Sequence, residues 1–464
     1  MIKWTKLLSS SDRRVPTGRD EETRSFRGFG KPARRLRRIT WSPNNSFHAA
    51  TISGAGLFGT GALTVGCSDD FYAVRLGFAN VASAPYTVGL TKVRSSKSWN
   101  DFVNPVGESP WTTVTSVHAG SDVDKIVDAN DGPTSLVVRS NPNCASDGSG
   151  IVPSWSWTDW IPVRSASPDP TTNMRVLMIR HLIERGQTIT YANGALDGLS
   201  GLDHTTNGFG TWTGGYNNGT DHVTVPDRLD RNLAQLNRLT NGSIVSAVQF
   251  ATINGGIVGM TTGDSHQMGV GTKSSFNNFL YQAISAIGPK YVGRLPFGMV
   301  NCATGGATSR HFFDCLEALL PAVRPSFVVL PGWTFNDRSP SGDNADELAN
   351  NNFVARLIKA ADLCVLSGAV PIFLTPFPRN ASNMTPTQVR PWLALRETIL
   401  SQRNGGWAVI DGSEILGRQV DARLDGTYIS TFTDDDIHPN DAGHAAVAKA
   451  LVPLIQSISG LVMV

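Results

Sequence analysis

The chain has 464 residues with 40% hydrophobic and 17% charged residues and a net charge of +2. That length exceeds one ordinary core, and the balance excludes a disordered chain and a strongly basic nucleic-acid binder. Five cysteines (Cys67, Cys144, Cys302, Cys315 and Cys364) form no CxxC pair and read as buried thiols rather than zinc ligands, so no metal and no cofactor is expected.

Residues 1–40 form a basic arm closing with Lys31-Pro-Ala-Arg-Arg-Leu-Arg-Arg38. Such a run reads as a solvated tail and leaves oligomerisation or docking to a larger assembly open, without specific nucleic-acid binding. The N-terminus lacks the apolar core of a secretory signal, and no run is long and apolar enough to span a membrane. A cytoplasmic or virion-associated protein is the expectation, with no membrane partner.

From 41 to 250 short β-branched and aromatic runs recur between turn residues: Ala62–Val65, Tyr72–Phe78, Tyr86–Leu90, Ser135–Arg139, Arg175–Arg180 and Ser243–Val248. This spacing predicts a β-sandwich of the jelly-roll kind. Within it, Trp155, Trp157 and Trp160 bunch in Ser154–Trp160, and Trp212 lies in a Gly/Asn-rich stretch. Indoles suit the flat apolar faces of sugars, and they equally suit a sandwich core.

From 251 to 464 apolar strands alternate with amphipathic helices. Strands are predicted at 256–262, 296–301, 326–330, 370–377 and 407–411, and helices near 275–287, 309–321, 345–366, 386–403 and 440–457. This pattern predicts a parallel sheet covered on both faces, with its site at the carboxyl ends of the strands.

The first strand of this unit runs into Gly263-Asp264-Ser265-His266. A serine at a strand-to-helix turn has its hydroxyl lifted above the sheet and its N–H at the positive end of the helix. Near the C-terminus stands Asp435-Asp436-Ile437-His438-Pro439, ahead of a final helix. A serine needs a base, and the base needs an acceptor on its other nitrogen; Asp and His three residues apart meet that need. After the second strand comes Asn301-Cys-Ala-Thr-Gly305-Gly306-Ala-Thr308, and after the third Gly332-Trp333-Thr334-Phe335-Asn336-Asp337. Both loops supply donors for an oxyanion, and Trp333 adds an aromatic face beside them.

Taken in order, these four blocks resemble the consensus blocks of the SGNH/GDSL hydrolases, over roughly the last 210 residues. The resemblance implies a flavodoxin-like α/β/α domain, Ser265 as nucleophile, His438 as general base and Asp435 as its orienting acid. It also implies an oxyanion hole from the N–H groups of Ser265 and Gly306 and the side-chain amide of Asn336. Gly305 competes with Gly306, and Asp436 stands at the wrong spacing for the acid. Two departures stand out: His266 replaces the family's leucine, which reads as a tolerated change, and Thr334 occupies the glycine place of the third block.

The expected activity is hydrolysis of acyl, chiefly acetyl, esters on a carbohydrate polymer, the sandwich helping to hold the substrate. A general acyl esterase or lipase is the alternative enzyme. A glycan-binding virion or adhesin protein carrying an inactive domain of this kind is the alternative outside enzymes.

Overall fold

The protein is described from a computed structural model. The structure describes residues 38–42, 46–51, 58–80, 84–97, 112–114, 117–119, 136–138, 154–170, 174–184, 188–193, 211–216, 244–273, 277–291, 297–337, 351–382 and 384–458. Most of the basic arm (1–37), Cys144 and the side chain of Trp212 lie outside the described residues.

An eleven-stranded sheet runs through the molecule. Its principal strands are β1 (Arg38–Ser42), β2 (Phe71–Asn80), β3 (Ala247–Thr252), β4 (Ile257–Thr261), β5 (Phe297–Asn301), β6 (Phe327–Leu330), β7 (Val370–Leu374) and β8 (Ala408–Ile410). The spatial order from one edge is β8-β7-β6-β4-β5-β1-β3-β2, and the strands from β8 to β1 are mutually parallel. The five strands of the C-terminal part thus lie in the order 2-1-3-4-5 by chain position, that of a flavodoxin-like sheet. β4 to β7 are buried throughout or nearly so, the near-continuous apolar pattern of a sheet covered on both faces, whereas the edge strand β8 is buried only at Ile410.

Helices provide that cover: α1 (Ser265–Met268), α2 (Phe279–Tyr291), α3 (Ser309–Val323), α4 (Asn351–Leu366), α5 (Pro386–Leu400), α6 (Gly412–Leu416) and α7 (Asp441–Ile458). Apolar residues of α2 and α7, such as Phe279, Ile284, Leu451 and Ile455, pack in one core with Phe297 and Phe327. Residues of α3, α4 and α5, such as Phe312, Leu316, Leu357 and Leu395, pack in a second core with Val258, Val300 and Val328. Sequence periodicity located the five parallel strands and the five longer helices to within a few residues, apart from 345–350, which lie outside the described residues, because a buried strand and a one-sided helix differ sharply in pattern.

The sheet does not stop near residue 250. β1 pairs in parallel with β5 and antiparallel with β3, and β3 pairs antiparallel with β2. Strand Ser154–Thr158 then adds to β2. Five further strands of the region form a second sheet in the order Thr211–Tyr216, Phe58–Cys67, Arg175–Glu184, Tyr86–Ser96 and Thr112–Val114, and Ser46–Thr51 pairs apart from it with Thr188–Asn193. Val65, Val93, Leu177 and Ile179 of this second sheet share a core with Val74, Val248 and Phe250 of the first.

Three of the expected sugar platforms are core residues. Trp155, Trp157 and Trp160 are buried, and the first two sit in the same core as Phe312 and Leu316 of α3. The Arg75 guanidinium lies 5.0 Å from the Trp157 ring and 5.0 Å from the Trp160 ring. Their faces are thus spent on packing and cation–π contact, which corrects the reading of them as substrate-binding residues. Buried Arg75 is itself held by Gln249, whose amide donates to Thr40 and to the Ala322 carbonyl.

Candidate active site

β4 runs Ile257–Thr261, and the backbone turns at Gly263 before α1 begins at Ser265. Gly263 has φ +153°, and a Cβ there would stand 2.3 Å from Gln267 Oε1. Only glycine lets Gln267 reach back to donor Asp264 N–H, at 3.1 Å. The Asp264 carboxylate closes the reciprocal cap by accepting from His266 N–H at 2.9 Å. Ser265 is therefore fixed at the first position of a capped helix. Its own N–H has no acceptor among the described residues.

Asp435 and His438 come from the loop before α7. His438 Nε2 lies 3.0 Å from Ser265 Oγ, and His438 Nδ1 lies 2.6 Å from Asp435 Oδ2. Asp435 Oδ1 also accepts from the backbone N–H groups of Ile437 and His438, at 2.8 and 2.7 Å. The side chain thus holds the loop that carries its own partner. Asp436 takes φ +59° and supplies the turn rather than the contact. Asn440 then starts α7 by accepting from Ala442 and Gly443 N–H.

Burial raises the Asp435 carboxyl, but the bonds from His438 and from the two backbone N–H groups outweigh it and bring it down to about 2. His438 is shifted below the ordinary histidine value, first by burial and then by the neighbouring His266 charge, against the pull of Asp435. At neutral pH this leaves an ionised acid and an unprotonated base, with Nε2 free to accept from Ser265.

The loop from Asn301 is tied to the serine turn at three points. Thr304 N–H donates to Gly263 O, Cys302 N–H to Thr261 O and the Asn301 amide to Gln267 O. Gly306 has φ +76°, and its N–H has no acceptor among the described residues. A Cβ on Gly306 would meet nothing within 4 Å, whereas one on Gly305 would face Met268 Sδ at 3.8 Å. Asn336 sits in the short 3-10 turn Phe335–Asp337, and its amide donates to Ala307 O at 3.0 Å and lies 3.5 Å from Asp264 Oδ2. One of its two protons is therefore engaged by the Gly306 loop, and the other is weakly held.

The two departures from the family pattern are joined at Asp264. The Thr334 hydroxyl donates to Asp264 Oδ2, a use that glycine could not serve. His266 Nδ1 lies 2.8 Å from Asp264 Oδ1, and His266 Nε2 lies 2.8 Å from the Ile437 carbonyl oxygen. A carboxylate and a carbonyl only accept, so the ring stands between two acceptors. Burial alone would raise the Asp264 carboxyl, but the His266 charge and hydrogen bond, the Thr334 hydroxyl and Arg379 hold it well below the usual carboxylate range. His266 stands 5.4 Å from His438, ring centre to ring centre. Far from an idle replacement for leucine, it couples the serine turn to the base loop. Its placement beside Ser265 was the available signal; its partner, 171 residues away, was not.

Trp333 is buried and stacks edge-on with Phe335, and both line a small cavity with Asp264, His266, Gln267 and Phe377.

No protein-family profile and no curated protein matches the sequence. Solved structures do. One is a carbohydrate acetylesterase family member from Sinorhizobium meliloti, 16% identical, covering 44% of this chain and 100% of that one at a TM-score of 0.33. Another is a catalytic mutant of an acetylxylan esterase from Geobacillus stearothermophilus, 18% identical, covering 43% and 95% at 0.34. A third is a lipolytic protein of the G-D-S-L family from Desulfitobacterium hafniense DCB-2, 16% identical, covering 42% and 98% at 0.33. The chain resembles the GDSL/SGNH hydrolases. Within the chain itself, the serine turn and the loop before α7 meet at Ser265 and His438, and the loops after β5 and β6 meet at Ala307 and Asn336.

Proposed function

We propose that the protein is a serine esterase that hydrolyses acyl esters, with Ser265, His438 and Asp435 as its triad and an acyl-enzyme on the path. The observation that carries this reading is the continuous hydrogen-bond line from Asp435 through His438 to Ser265 Oγ. Ser265 Oγ attacks the ester carbonyl carbon as its proton passes to His438 Nε2, while Asp435 holds the Nδ1–H. The charge developing on the carbonyl oxygen falls to the N–H groups of Ser265 and Gly306 and to the Asn336 amide. Collapse expels the alcohol, which takes the proton from His438. Water activated by the same nitrogen then releases the acid and restores Ser265.

For the substrate we favour a short acyl group, acetyl, on a carbohydrate. The cavity beside the serine turn is small and carries Asp264, His266 and Gln267 alongside its aromatic residues, which suits a short chain better than a long apolar one. The strands before residue 252 are read as a sandwich module bracing this site.

The test is labelling with a fluorophosphonate followed by peptide mapping, together with release of acetate from acetylated polysaccharides. Modification at Ser265, lost in the Ser265→Ala protein, is the expected result. Hydrolysis with Ser265 unlabelled would overturn the assignment.

A further inference from the structure

Arg379 follows β7 on the loop Thr375-Pro-Phe-Pro-Arg379, at the same carboxyl edge of the sheet as Ser265. It is only 7% exposed, and its Nε is buried without a hydrogen-bond partner. Its backbone N–H is anchored to Gly426 O at 2.9 Å, and its guanidinium carbon lies 5.1 Å from the Phe335 ring centre, next to Asn336. No carboxylate pairs with its side chain among the described residues. The acids within its electrostatic reach are already satisfied. Asp264 accepts from His266 twice and from Thr334, and Asp435 accepts from His438 twice and from Ile437. The same charge is felt by His438 and Tyr428, which places it beside the reacting groups.

A guanidinium largely withdrawn from water with a donor left unsatisfied is costly, and a ligand that accepts from it removes that cost. A guanidinium backed by an aromatic ring is a fork for a carboxylate or a phosphate. We infer that Arg379 is a subsite for an anionic substituent of the substrate, so that the ester is carried on an acidic sugar, one bearing a carboxylate or a phosphate. This rests on the acyl-transfer reading of Ser265 and names the substrate class of that same site.

The test is calorimetric titration of full-length Ser265→Ala protein at low ionic strength with methyl glucoside, methyl glucuronide and glucose 6-phosphate. At least one anion is expected to bind about tenfold more tightly than the neutral glycoside, and the stronger of the two identifies carboxylate or phosphate. Adding Arg379→Gln should bring all three ligands to within about twofold, whereas Arg379→Lys, which keeps the charge, should retain part of the preference. Equal binding of the three sugars, no anion binding at tens of millimolar, or a preference that survives Arg379→Gln would overturn the subsite. If Arg379→Gln does not fold, the lysine variant and the unsubstituted Arg379 protein still decide the matter. Fluorophosphonate labelling of the wild-type chain separates the two claims. Labelled Ser265 without anion preference removes the subsite alone, and anion preference without labelling removes the esterase reading alone.

Discussion

The Nε2 of His266 donates to the carbonyl oxygen of Ile437 at 2.8 Å, so the residue after Ser265 holds the residue before His438. Tyr428 hydroxyl donates to the same oxygen at 3.2 Å. Two donors on one carbonyl fix the height of the loop on which His438 sits, and one of them is the ring that also faces Asp264.

His266→Leu should therefore do two things. It leaves Asp264 buried with its main cationic partner gone, a loss on the order of 3–5 kcal/mol of stability, read as a lower Tm. It also removes a cation that depresses His438, so the acid limb of kcat/KM should move to higher pH. His266→Gln, which keeps a donor but no charge, should shift the limb the same way with a smaller loss of Tm. A folded variant whose acid limb stays in place would show that His266 does not act on His438.

For the wild-type protein, kcat/KM should rise with pH as His438 loses its proton. Because His438 is depressed, the midpoint should fall below the ordinary histidine value of about 6.5. A pH–rate profile with 4-nitrophenyl acetate reads this directly, and a midpoint well above that value would contradict the geometry around Nδ1 and Nε2.

Ser265→Ala should lower kcat for the same ester on the order of 10⁴-fold or more with an unchanged circular dichroism spectrum. Asp435→Asn should approach that loss, because the amide can present the wrong group to Nδ1 and leave Nε2 unable to accept. A folded Ser265→Ala protein of near-normal kcat would end the triad assignment.

These groups were legible in the sequence where their relations are local. Gly263 through Gln267 form one capped turn, and Asp435 reaches His438 three residues on. What stayed hidden depends on distant partners. The role of Thr334 needs Asp264, 70 residues earlier, and the burial of Trp157 needs Arg75 and α3. Alternating tryptophans look the same whether the face they share meets water or a helix.

That burial gives a stability prediction. Trp157→Ala should cost on the order of 3–5 kcal/mol, since the indole fills space against Gly77 and Arg75. Thermal melts check this. A sugar-binding defect at unchanged Tm would instead restore the platform reading.

Two buried histidines, His181 and His444, should contribute to the loss of stability in acid. His181 and His444 are each pushed down to about 3, chiefly by burial. Their folded-state values lie below the unfolded value, so the stability tied to their neutral form is full above about pH 6.5 and is lost as pH falls toward 3. Tm should decline across that window, and His181→Leu should flatten the decline. A parallel decline in the variant would mean that His181 does not contribute.

β1 has one further consequence, for the order in which the molecule is made. It leaves the ribosome well before the strands it pairs with: the bond from Gln249 to its Thr40 spans 209 residues, and its parallel neighbour β5 emerges later still. Until β1 returns, the growing parallel layer exposes the bare flank of β5, a template for pairing with another chain. Chains that lack residues 38–42 should therefore engage chaperones longer and aggregate sooner than full-length chains.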